Sequence, residues 1–144
     1  MSQLRVLVIF VVSIAFINSC QSYTSGLQQS IVRADETVAL AAIRTISIAE
    51  VSYNLTHGDY ATLQQLVDAG LLDSRFSKER PLKDYVITLN LTPKAGAGQA
   101  SYTCNLDPDR NGERVGRHFY VESGTDGIHV NDSQAASATD KLIE

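Results

Sequence analysis

The run Ile31–His57, IVRADETVALAAIRTISIAEVSYNLTH, is the stretch that most restricts the fold, because it is long, apolar and periodic enough to be a core helix. On a 3.6-residue period, Ile31, Val38, Ala42, Ile46, Ala49 and Tyr53 fall on one stripe, which is the expected buried face. Leu40, Ile48, Val51 and Leu55 form a second apolar patch on the other side. That patch must be covered by the following connection, 61–75, or offered to a partner. Asp35 and Glu36 stand early in the run, where they complement the helix dipole, and His57-Gly58 gives a glycine stop. Glu50 is the one acidic residue in its apolar middle; a structural place, paired with Arg44 or Arg117 or set at a sheet edge, is expected for it.

Beyond this helix the elements shorten. Residues 61–69 carry Leu63, Leu66 and Val67 at helical spacing and end at Gly70. From Leu82 the period changes to two: Tyr85, Ile87, Leu89 and Leu91 alternate with polar or smaller residues. A flexible turn over residues 94–98 leads back into a second strand at 100–106. Residues 117–122 and 128–131 read as a third and a short fourth strand. One long N-terminal helix packed on a small antiparallel sheet of three to four strands makes an α+β domain over residues 31–131. The small, polar and aperiodic segment 132–144 reads as a disordered tail.

The segment ahead of the helix has a different character. Arg5 and the amino terminus form a weak positive region, and residues 6–17 are apolar except for Ser13, before Ile17-Asn18-Ser19-Cys20. Twelve or so apolar residues fall short of the ~20 a spanning helix needs, so residues 1–19 read as a signal peptide. This ending resembles a bacterial lipoprotein signal. The resemblance implies cleavage before Cys20 and acylation of its thiol, with the membrane as partner and an outer-membrane or periplasmic location. An ordinary signal cut near Ser19 or Ser22, or a short uncleaved anchor, is the alternative. Residues 20–30, polar with one glycine, suit a tether that needs no structure. Cys104 is the other cysteine, and a Cys20–Cys104 disulfide stays open if Cys20 is not acylated.

The pieces that carry a second resemblance are Ala41-Ala42-Ile43-Arg44-Thr45-Ile46, Ala49-Glu50, Gly58-Asp59-Tyr60, the stretch from Leu63 to Leu66, and Gly70-Leu71-Leu72-Asp73. Lys83-Asp84-Tyr85, Gly116-Arg117-His118-Phe119-Tyr120 and the stretch from Gly124 to Ile128 continue it in order. Together they resemble the head domain of type IV pilin-like and type II secretion pseudopilin-like proteins. The likeness implies a spine helix against a sheet, and a non-enzymatic envelope role in protein interaction, linked to a secretion or pilus system. The front departs from that family: no glycine-phenylalanine junction with a following glutamate precedes Asp35.

The remaining motifs are sparse. Asp107-Pro108-Asp109-Arg110-Asn111-Gly112 matches the first half of a calcium loop, with Asp107, Asp109 and Asn111 as ligands and Glu113 or Glu122 as an extra carboxylate. The twelfth position is His118, where a bidentate Glu is needed. Turn formation alone explains the same residues. His57, His118 and His129 are too few for a structural zinc site, which takes four ligands. No Gly-x-Ser-x-Gly elbow occurs, and no acid–base pair is evident. A net charge of -4 without a basic run argues against nucleic acid. The alternative to a pilin-like envelope protein is a periplasmic ligand-binding or calcium-dependent adhesion module.

Overall fold

A computed structural model describes residues 2–96, 98–109 and 116–143, with side chains from residue 26 onward. The side chains of the leader and of Cys20, and all of Asn111 and Glu113, lie outside the described residues. The chain divides into two compact units, Met1–Ala34 and Asp35–Glu144. The first is helical where described, including residues 20–30, for which the sequence suggested an unstructured tether. Its backbone belongs to α1 (Ser2–His57). By length and composition Gly26–His57 could cross a membrane, a property that anchors and core helices share.

In the second unit, α1 ends at Gly58, whose φ of 73° suits a residue without a Cβ and whose N–H reaches Asn54 O at 2.8 Å. The short helix α2 (Leu63–Asp68) starts on a capping box. Gln65 N–H donates to Thr62 Oγ1, and Thr62 N–H donates to Gln65 Oε1. A 3-10 turn, Ser74–Ser77, follows, with Asp73 Oδ1 accepting Arg75 N–H at 2.8 Å. Five strands come next: β1 (Tyr85–Thr92), β2 (Ser101–Pro108), β3 (His118–Glu122), β4 (Ile128–Asn131) and β5 (Lys141–Ile143). They form one antiparallel sheet in chain order.

The α+β expectation holds, and the strand count is corrected from three or four to five. The fifth comes from the segment that looked like a disordered tail. Asn131 Oδ1 accepts the N–H groups of Ser133 and Gln134, and Asp140 Oδ2 accepts Ser137 N–H. Asn131 Nδ2 then donates to Asp140 Oδ1 at 2.8 Å. These local side-chain caps fold residues 132–140 into a strap and return Lys141–Ile143 against β4. Hydrophobic periodicity does not report such order.

The core lies between α1 and the inner sheet face. Ala39, Ala42, Ile43, Ile46 and Ala49 of α1 meet Tyr85, Tyr102, Cys104, Leu106, Phe119, Val121 and Ile128. Three of these five helix residues are alanines. Ala42, Ile46 and Ala49 lie where the period placed them, but Val38 is 52 % exposed and Ile31 is also exposed. At about 100° per residue, Val38 sits roughly 80° from Ile46, past the edge of the buried arc, whereas Ala39 and Ile43 fall inside it. Near the start of this face, Glu36 forks onto Arg117, the residue before β3: its Oε1 accepts the Arg117 backbone N–H, and its Oε2 accepts the Arg117 Nε–H, each at 3.0 Å.

Candidate functional site

The free flank of α1 is the most distinctive surface. Ile48 is 68 % exposed, Val51 50 % and Leu55 81 %, so the connection 61–75 does not cover them. Leu40, placed in the same patch by the sequence, is instead partly buried against the core. Beside this flank runs an open groove of about 660 Å³. Arg44, Ile48 and Val51 line its helix side, and Tyr102, Glu122 and Thr125 line its sheet side. The turn that closes it is shaped by Gly124, with φ of 83°. Tyr102 is fixed there by an O–H donated to Ser47 Oγ at 3.0 Å and by the edge of Tyr60.

Glu50 lies on the opposite side of the helix, fully buried. It pairs with neither Arg44 nor Arg117. Arg117 is engaged by Glu36, and Glu50 Oε2 accepts the Ala61 N–H at 3.0 Å while Oε1 has no hydrogen-bond partner among the described residues. Burial pushes its carboxyl from the ordinary 4.5 up to about 7, against the downward pull of the Ala61 hydrogen bond. The carboxyl therefore holds the turn after α1 onto the helix. The sequence marked Glu50 as unusual, but its backbone partner could not be read from charge pairing.

The half calcium loop is spent on other contacts. Asp107 Oδ1 lies 2.6 Å from His118 Nδ1, and Asp109 forms an ion pair with Arg80. Asn111 is outside the described residues, and among those described no group of three or more His, Cys, Asp or Glu side chains is placed to hold a metal ion. Glu122 Oε2 accepts the Tyr120 hydroxyl at 2.8 Å. His118 and His129 are both buried on the outer sheet face, and His129 Nδ1 lies 2.8 Å from Asp140 O. His57 stacks on Tyr53 at the helix end. Cys104 is fully buried, and burial, then Glu50 and Asp107, push its thiol up to about 12. That environment makes it a structural residue and a poor nucleophile.

The class these observations define is an α+β domain in which a long helix covers one face of an antiparallel sheet and leaves its own far flank apolar and open. Comparison with protein-family models, curated proteins and solved structures finds no match.

Proposed function

We propose that this chain is a non-enzymatic, lipid-anchored, pilin-like protein of the cell envelope that acts by binding other proteins in the setting of a secretion or pilus system. The observation that carries this reading is the exposed apolar flank of α1, Ile48, Val51 and Leu55. A helix of a self-sufficient domain is polar on that side, and an apolar one gains by being covered. Acyl chains on Cys20 supply the anchor, each buried methylene contributing about 0.8 kcal/mol. Labelling of the full chain with radioactive palmitate tests the anchor: incorporation is expected in the wild type and lost in Cys20→Ala. An unlabelled wild type rejects it.

The second reading, an exported ligand-binding or adhesion module, draws on the groove between α1 and the β3–β4 turn. Calcium at Asp107, Asp109 and Asn111 belongs to that reading and requires His118 and Arg80 to release their carboxylates. Titration calorimetry with calcium decides it; absence of heat and of any rise in melting temperature removes the ion.

A further inference from the structure

The two edges of the sheet are unequal. The β5 edge is three residues long and carries Lys141, the usual protection against strand addition. The β1 edge is eight residues long. It has no charged residue and no proline from Tyr85 to Thr92, and its pairing to β2 runs one to one without a bulge.

The hydrogen-bond phase of β1 follows from two flanking bonds. Asp109 N–H donates to Asp84 O at 2.9 Å, so Asp84 turns its backbone groups toward β2. Backbone N–H and C=O of one residue point to the same side in an antiparallel ladder, and the side alternates along the strand. Val86, Thr88, Asn90 and Thr92 therefore also face β2, and Tyr85, Ile87, Leu89 and Leu91 turn theirs to the open edge. The bond from Ser123 N–H to Tyr102 O at 3.0 Å gives the same phase from the far side of β2. Thus the residues whose side chains face the core are the ones whose backbone groups have no strand partner among the described residues at this edge.

We propose that β1 is a homodimerisation edge, pairing antiparallel with β1 of a second copy of this chain in a two-fold register centred on Leu89. Residues directly opposite across such a pair point to the same sheet face, so core-facing residues must meet core-facing residues. The Leu89-centred register does this: Leu89 meets Leu89, Ile87 meets Leu91, Thr88 meets Asn90 and Val86 meets Thr92. Outward N–H and C=O groups of Ile87, Leu89 and Leu91 are all satisfied in this register. An open groove of about 360 Å³ beside the edge, lined in part by Leu63, Phe76, Ile87, Leu89 and Leu91, lies on the side where the core-facing residues of the second copy fall. A strand pair alone buries less than the ~1,200 Å² of a stable interface, so the dimer is weak in dilute solution. Confinement to a membrane raises its population, though the pairing itself does not depend on the anchor.

Disulfide trapping on the full chain in detergent tests this. Thr88 and Asn90 lie in a non-hydrogen-bonded pair, where Cα atoms approach to about 4.5 Å and a disulfide closes. Thr88→Cys and Asn90→Cys forms, carrying tags of different size, are mixed and oxidised, with the wild type setting the background from Cys20 and Cys104. The expected result is a mixed-size dimer well above that background, with each variant alone near it. Adding Val86→Lys and Thr92→Lys to both forms sets Lys against Lys twice in the dimer. Val86 is 47 % exposed and Thr92 is exposed, so the monomer's melting temperature is expected to hold while trapping falls about fivefold. Background-level trapping, trapping to a different protein, trapping of Thr88→Cys alone at the mixed level, or indifference to the added lysines overturns the proposal.

Discussion

The two faces of the sheet are closed by different physics. On the inner face, apolar side chains of β1 to β4 meet the alanine and isoleucine stripe of α1, and the fully buried carboxyl of that stripe, Glu50, has the Ala61 N–H as its one hydrogen-bond partner among the described residues. On the outer face, the strap 132–140 lies over β2 to β4 by polar bonds: Asn105 Nδ2 donates to Ala136 O at 2.8 Å, and Asn131 and Asp140 cap the turns. Tyr120, His129 and His118 are buried on this face, and His129 Nδ1 lies 2.8 Å from Asp140 O of the strap. The inner face gains from area removed from water, about 25 cal/mol per Å². The outer face gains from satisfied hydrogen bonds of about 1 kcal/mol each. The inner face therefore dominates stability, and the outer face sets local order.

Neighbouring residues on β3 test that ranking most directly. Phe119 points inward, fully buried and stacked with Tyr85; Tyr120 points outward with its hydroxyl on Glu122. Phe119→Ala is expected to cost ~3–5 kcal/mol in urea unfolding, and Tyr120→Ala distinctly less. Equal losses would mean that the strap side is a second core and would break the distinction.

A pH titration of stability isolates the buried Glu50 carboxyl. The Glu50 carboxyl ionises near 4.5 when unfolded and near 7 when buried, so between those values the unfolded chain binds fewer protons. Stability from this group is complete below pH 4.5, falls as pH rises and is lost above about 7. At about 1.4 kcal/mol per pH unit the fall is on the order of 3 kcal/mol. Glu50→Gln, which cannot ionise, should flatten that part of the curve. An unchanged slope would place the pH dependence elsewhere.

On the outer face, Asn131→Ala is expected to cost ~1–2 kcal/mol, the usual value of a cap, because it releases the Ser133 and Gln134 N–H groups and the bond to Asp140. The informative readout is local. Amide exchange should quicken over 132–143 while β2 and β3 stay protected. Loss of protection throughout would show that the strap and the core unfold as one unit.

The same contrast explains what the sequence disclosed. The α+β class, the helix end at Gly58 and strands β1 to β4 follow from periods of 3.6 and 2 and from turn glycines, signals that burial of apolar area imposes. β5 escaped because Lys141-Leu142-Ile143 is too short to show a period and is positioned by Asn131 and Asp140, whose capping bonds leave no apolar pattern. On α1, the patch of Ile48, Val51 and Leu55 is legible because it departs from amphipathicity, whereas Leu40 was misplaced at the edge of the arc. Asp107 and Asp109 spelled a ligand loop by spacing, but their partners, His118 and Arg80, come from 11 and 29 residues away in sequence, as their numbers show.

The smallest test replaces one atom group on each side of the sheet. A Cβ at Gly116 would lie 2.5 Å from Tyr85 Oη, and that hydroxyl is held by the bond it donates to Arg117 O at 3.0 Å. Yielding there means breaking a bond on the inner side, so Gly116→Ala should cost ~1–3 kcal/mol as an overpacked site does. A Cβ at Gly127 instead meets the tip of Leu142, a half-exposed side chain on β5 with room to rotate. Gly127→Ala should therefore cost less than ~1 kcal/mol, about the price of one off-rotamer side chain. Its effect should appear as faster exchange at Lys141–Ile143 alone. If Gly127→Ala destabilises as much as Gly116→Ala, Leu142 is not free to turn, and β5 belongs to the same rigid packing as the inner face.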